Sequence, residues 1–121
     1  MIYIGNDIVE NNRIARLINL YGTKFLHKIF SSKEIESIKR KDISTSCSGK
    51  FAAKEASAKA LLSSGIVSRV SLKDIVVLSR DDGAPFVEIN IAQLDKIKDF
   101  KISISHTDKY ATAVALLELF E

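Results

Sequence analysis

From Lys50 to Leu62 the chain reads Lys-Phe-Ala-Ala-Lys-Glu-Ala-Ser-Ala-Lys-Ala-Leu-Leu, with no glycine or proline. Ala, Leu, Lys and Glu are strong helix formers, so the stretch predicts a helix, stopped at Ser64-Gly65 because glycine accepts the left-handed turn of a C-cap. At about 100° per residue, Ala53, Ala56, Ala60 and Leu61 fall on one side, while Phe51, Glu55, Ala58, Lys59 and Leu62 cluster on another. The alanine side is almost smooth. It lets other backbones approach closely, as suits a helix embraced by a sheet. On the second side Glu55 and Lys59 are i, i+4 neighbours with the acid N-terminal, the favourable order for an ion pair. Glu55 therefore reads either as half of a surface salt bridge or as a metal ligand, and the second reading needs another carboxylate elsewhere.

With 121 residues, 46% of them apolar, residues 1–121 are read as one domain able to bury a core. The longest apolar runs are far too short to span a bilayer. Met1 leads directly into Ile2-Tyr3-Ile4 with no basic segment, apolar block and cleavage site, so a cytoplasmic location is expected and no membrane partner. Cys47 is the single cysteine, which agrees with a reducing compartment; it reads as a small buried residue near a helix start. The net charge of +3 favours an acidic partner or a phosphorylated ligand. Trp is absent and no basic stripe is interleaved with aromatics, so no nucleic-acid partner is expected.

Taken in order, Ile2, Ile4 and Ile8 alternate with Tyr3, Asp7 and Val9 in a first strand ending near Glu10. Asp7 is a poor strand former there, and reads equally as a turn signal or as a functional carboxylate. Ile14, Leu17, Ile18 and Tyr21 follow at helical spacing, with Asn11 or Asn12 as N-cap and Gly22 as stop. A shorter helix holds Phe25, Leu26, Ile29 and Phe30. Ser31 and Glu34 have capping-box spacing and open a third helix running to about Lys41. Ile43 to Ser46 reads as the turn and cap before the alanine-rich helix. Leu72–Arg80 and Phe86–Ile91 predict an antiparallel pair joined by Asp81-Asp82-Gly83-Ala84-Pro85. A short helix is expected over Ala92–Lys98, then a strand through Ile102 and Ile104 to Ser105-His106-Thr107. Tyr110 to Leu119 forms a last strand whose small Ala111, Ala113 and Ala115 match the smooth helix. The order predicts an α+β fold, a mainly antiparallel sheet wrapped around the central alanine-rich helix.

Three stretches together go further: Gly5-Asn6-Asp7-Ile8-Val9-Glu10, Phe51-Ala52-Ala53-Lys54-Glu55-Ala56-Ser57-Ala58-Lys59-Ala60, and Ser103-Ile104-Ser105-His106-Thr107. They resemble the signature motifs of the holo-acyl-carrier-protein synthases, the small type of 4'-phosphopantetheinyl transferase. Order, spacing and total length agree over nearly the whole chain. The resemblance implies transfer of the 4'-phosphopantetheine arm of coenzyme A to a serine of apo acyl carrier protein, releasing adenosine 3',5'-bisphosphate, by a homotrimer with active sites at subunit interfaces. It makes Asp7 and Glu55 the ligands of Mg2+, an ion suited to carboxylate, water and phosphate oxygens.

The chemistry asks for little more than positioning and charge. As the serine hydroxyl attacks the β-phosphorus in line, negative charge builds on the bridging oxygen of the leaving bisphosphate. Lys59 matches a motif lysine suited to neutralise those oxygens or to orient Glu55. The serine proton goes to Glu55 or to a water on the metal, and the residues leave both open. By the same resemblance His106, Lys50 and Lys54 are expected at the phosphates of coenzyme A, Thr107 beside His106 in the coenzyme A site, Gly65 in the turn after the helix, and Pro85 beside the adenine. Arg13 matches an arginine that meets the acidic carrier protein, and Arg16, Lys24 and Lys28 extend that basic face.

Two departures from the family pattern bear on coenzyme A contacts. Lys50 stands where an arginine is common, and lysine lacks the bidentate phosphate contact of arginine. Ser63-Ser64-Gly65-Ile66 replaces a more glycine-rich turn. Two other readings stand beside the transferase: a non-catalytic basic module that binds an acidic partner, and a metal-dependent phosphohydrolase using the same two acids.

Overall fold

The alanine-rich stretch is the C-terminal part of a longer helix. The computed structural model describes residues 1–38 and 43–121. In it the chain runs β1 (Ile2–Glu10), α1 (Asn11–Tyr21), α2 (Thr23–Ile29), α3 (Ser32–Ser37), α4 (Ile43–Ser64), β2 (Ile75–Ser79), β3 (Pro85–Ile89), β4 (Ile97–His106) and β5 (Tyr110–Leu119). Helix α4 is 22 residues long, or about 33 Å. Residues 43–46, expected as a turn, already belong to its first turns. Ser48 donates its hydroxyl to the Ser44 carbonyl at 2.7 Å, which satisfies a serine inside a helix without breaking it.

The fold is α+β as expected, but the strands form two sheets. β1, β5 and β4 make a three-stranded sheet in the order β1-β5-β4, and among the described residues β2 pairs with β3 alone. The described pairings are all antiparallel. Ala52, Ala53, Ala56 and Ala60 of α4 are wholly buried, as are Ala111 and Ala115 of β5. Where β1 crosses α4 the approach is closer still: a side chain at Gly5 would collide with the Ala56 carbonyl. Around this thin centre Ile14, Phe30, Leu61, Ile75 and Leu117 are buried. Each contributes about 1.5–3 kcal/mol by leaving water.

Several boundaries differ from the sequence expectation. α3 opens with the expected capping box, in which Ser31 Oγ accepts from the Glu34 N–H and Glu34 Oε1 accepts from the Ser31 N–H. It ends at Ser37, and the expected continuation to Lys41 falls outside the described residues. The N-cap of α1 is Glu10, not an asparagine; Asn11 instead donates Nδ2 to the carbonyls of Thr107 and Asp108, both at 3.1 Å. The helix expected over Ala92–Lys98 shrinks to a 3-10 turn at Leu94–Lys96, because β4 begins at Ile97. An irregularity between Ile97 and Asp99 breaks the strict alternation there, which hid the strand from a period-two reading.

The three-stranded sheet turns one face to α4. On the other face Ile4 and Ile8 are each 63% exposed and Val114 48%. The isoleucines of β1 thus form an apolar outer surface, while Val9 on the alternate side is buried.

Candidate active site

Asp7 sits on the helix-facing side of β1, two residues beyond the close approach at Gly5. Lys59 of α4 donates to Asp7 Oδ1 at 3.2 Å and to the Asn6 carbonyl at 3.0 Å. Glu55 lies one turn earlier on the same helix face, half-buried. Burial, and then the charge of Asp7, hold its carboxyl above the usual range, while Lys59 and Arg13 pull it back. Asp7, Glu55, Lys59 and Arg13 therefore form one electrostatic cluster, drawn from β1, α4 and α1. The Glu55–Lys59 ion pair expected from spacing does not form. Lys59 turns to Asp7 because β1 offers a carboxylate and a carbonyl together.

A carboxylate whose proton affinity is raised by burial and by the charge of a neighbouring acid, as that of Glu55 is beside Asp7, suits a hard divalent cation, which would offset that repulsion. Among the described residues no group of three or more His, Cys, Asp or Glu side chains could hold a metal. Two carboxylates, with water and substrate oxygens completing the shell, is the donor set Mg2+ favours, so the residues fit this ion.

A second cluster lies at the N-terminal half of α4. There Gly49, Lys50, Val77, Gly83, Pro85 and His106 line a cavity of about 230 Å³. His106 ends β4, and its ring rests on the helix backbone at Gly49, where an added Cβ would stand 2.5 Å from Nε2. Lys50 is 8% exposed and donates Nζ to the Val77 carbonyl at 2.8 Å. Burial lowers its pKa, and the charge of Glu34 opposes that shift. Cys47 is buried and its thiol is pushed up to about 11 by desolvation, so it is inert packing as expected.

The expected site residues do not all gather. Lys54, expected at a phosphate, is corrected: its ammonium is fully buried and its three donors meet Glu34 Oε1 at 2.7 Å, the Leu72 carbonyl at 2.7 Å and the Ile75 carbonyl at 2.6 Å. It is also 5.3 Å from the centre of the Phe30 ring. No donor is left for a ligand. The Thr107 hydroxyl is engaged in its own turn, accepting from the N–H groups of Lys109 and Tyr110 at 3.2 and 3.0 Å. Gly65, with φ +80°, ends α4 outside the His106 cavity. Arg13, Arg16, Lys24 and Lys28 are all exposed. Arg13 borders the acidic cluster, whereas Lys24 and Lys28 rim an apolar groove of about 560 Å³ floored by Phe25 and Phe51.

Asp7 and His106 belong to β1 and β4, the outer strands on either side of β5. Helix α4 packs across this sheet, and Lys50 and Glu55 point about 140° apart around its axis. The two clusters thus lie on opposite flanks of one helix.

Sequence reasoning missed Gly49, Glu34 and Asn11. A glycine inside a helix costs about 1 kcal/mol relative to alanine, and that was the available signal for Gly49. Glu34 looked complete as a capping-box acid. Asn11 gave no signal beyond its capping preference.

Residues 3–115 match the 4'-phosphopantetheinyl transferase superfamily. The chain is 41% identical to a holo-[acyl-carrier-protein] synthase of Protochlamydia amoebophila, covering 93% of this chain and 94% of that protein. It is 42% identical to one of Fusobacterium nucleatum, over 97% and 98%. The structure of the Helicobacter pylori holo-[acyl-carrier-protein] synthase in complex with coenzyme A superposes with a TM-score of 0.84 at 36% identity, covering 95% of this chain and 99% of that one. With motifs, fold and relatives in agreement from end to end, the chain belongs to the 4'-phosphopantetheinyl transferase superfamily, in its holo-[acyl-carrier-protein] synthase family.

Proposed function

We propose that the protein transfers the 4'-phosphopantetheine arm of coenzyme A to a serine of apo acyl carrier protein, with Mg2+ held by Asp7 and Glu55. The observation that carries this reading is the facing pair Asp7 and Glu55 with Lys59 beside it, an arrangement that suits the pyrophosphate of coenzyme A. The related enzymes are named for this product, and solved relatives carry coenzyme A. The attacking serine oxygen bonds to the β-phosphorus, the bond to the bridging oxygen breaks, and adenosine 3',5'-bisphosphate leaves with the electron pair. Lys59 meets the charge that builds on that oxygen. The serine proton goes to Glu55 or to a water beside it. A divalent cation held by Asp7 and Glu55 would supply further charge neutralisation at the phosphates.

His106, Lys50 and Pro85 line the cavity suited to the nucleotide end of coenzyme A. The separation of this cavity from the acids supports a site completed by a second copy, and the exposed isoleucines of β1 offer an apolar face for a trimer. Arg13 and Arg16 face the carrier protein, with Lys24 and Lys28 continuing the basic surface.

Intact mass spectrometry tests the reaction: apo acyl carrier protein, coenzyme A, Mg2+ and this chain should yield carrier heavier by one phosphopantetheine arm. Unmodified carrier together with free phosphopantetheine would mean a hydrolase instead. Unmodified carrier with intact coenzyme A would leave only a binding module.

A further inference from the structure

The two-stranded sheet β2-β3 has an outer edge that α4 and α3 complete with side chains. β3 occupies one edge of β2. On the other, Ile75 offers its carbonyl to Lys54, Val77 receives Glu34 Oε2 on its N–H at 3.0 Å, and the Val77 carbonyl accepts from Lys50. Alternate residues of a strand point to the same edge, so Ile75 and Val77 are the pair that a third strand would have bonded. Glu34 and Lys54 are both wholly buried and joined at 2.7 Å. One carboxylate thereby ties the Ser31 N–H of α3, the ammonium of α4 and the middle of β2.

This tie runs into the cavity. Val77 is gripped by Glu34 through its N–H and by Lys50 through its carbonyl, and Lys50 lines the cavity together with His106. β2 also leads into the turn that carries Gly83 and Pro85 on the cavity wall. We infer that Glu34 and Lys54 are positioning residues for coenzyme A: they hold β2 against α4 so that the Lys50 ammonium and the Pro85 turn face His106 at a fixed spacing. This rests on the reading of that cavity as the nucleotide site. Neither residue lines the cavity, and neither lies in the Asp7–Glu55 cluster.

Glu34→Gln keeps the volume, but its amide can no longer accept from both Lys54 and Val77 as the carboxylate does. The dissociation constant for coenzyme A, measured by calorimetry on the folded protein, should rise about tenfold or more, as for other residues that orient a contact group. The turnover number at saturating coenzyme A and the KM for carrier protein should stay within about threefold, a split that general loosening of the fold does not produce. Combining Glu34→Gln with Lys50→Met should be non-additive for coenzyme A affinity, because both act through the same ammonium. If Glu34→Gln does not accumulate folded, Glu34→Gln with Lys54→Met removes both charges together, leaves neither unpaired in the core, and takes the same measurement. Unchanged coenzyme A affinity in a folded node variant, or additive effects with Lys50→Met, overturns the inference. Unchanged affinity in Lys50→Met and His106→Ala overturns the reading of the cavity itself, so the two failures are distinct.

Discussion

Lys59 lies 3.2 Å from Asp7 Oδ1, reaching from α4 to the strand that crosses it. The lysine supplies the positive charge that lets a second carboxylate, Glu55, stand nearby. With Asp7→Asn the acidic pair becomes a single carboxylate at almost no change in volume. Transfer should fall by about a thousandfold or more, the scale of losing a main electrostatic contact, while the fold persists. The variant should also lose any rise in melting temperature on adding Mg2+, which ligand linkage requires of the parent if it binds the ion. Full activity in Asp7→Asn would sink the metal assignment.

Glu55 gives a pH signature of known sign. Its folded pKa lies above the ordinary 4.5 because burial and Asp7 penalise the charged form. The stability contribution is therefore fully present below the unfolded value and lost as pH rises through the raised one. Glu55→Gln, neutral throughout, should melt higher than the metal-free parent at pH 7, and the gap should close as pH falls toward 4. Transfer should be abolished in the same variant. Mg2+ binding to the parent should strengthen over that same rise in pH, since the proton and the ion compete for one carboxylate. Melting curves across pH with and without Mg2+ check both signs; a Glu55→Gln variant less stable than the parent at pH 7 contradicts them.

The fold was legible where composition and period agreed. The alanine face of α4 and the small residues of β5 announced each other because close backbone approach needs both. The acids were legible only as a set: Asp7 alone reads as a turn residue and Glu55 alone as half of an ion pair, and the motifs resolved them. Lys54 misled because its motif position says nothing of direction around the helix. One residue before Glu55 turns a side chain about 100°, from the acid cluster into the interior. Glu34 and Asn11 were hidden because their partners, Val77 and Thr107, are distant in sequence.

Gly49 shows how a local rule yields to a site. Replacing a helical glycine by alanine ordinarily stabilises a helix by roughly 0.5–1 kcal/mol. Here the new methyl would meet the His106 ring at 2.5 Å, and also Ile104 at 3.2 Å. Gly49→Ala should forfeit that gain and weaken coenzyme A binding about tenfold, by turning His106 away from Lys50. Calorimetry with coenzyme A measures the loss. Gly49→Ala with His106→Ala should recover melting temperature without recovering affinity.

Arg13 is exposed yet adjacent to Glu55, so its charge reaches both the site and solvent. Arg13→Ala should raise the KM for an acidic carrier protein about tenfold and leave that for coenzyme A within about twofold. The carrier effect should shrink as salt rises above roughly 0.3 M, because exposed charges are screened within a few ångströms there. Equal losses for both substrates, or a carrier effect indifferent to salt, would argue that Arg13 serves the acids instead.

The separation of Asp7 from His106 across α4 leads to a test of assembly. If one active site takes its acids from one copy and its His106 cavity from the next, an Asp7→Asn chain and a His106→Ala chain are each defective alone. A mixed ring then contains sites with both residues intact. For random exchange at equal amounts, about a quarter of the sites are complete. Unfolding and refolding the mixture should therefore restore about a quarter of parental transfer, set against separately refolded variants. If both residues serve from the same chain, no mixed site is ever complete, and the mixture stays at the average of the two variants.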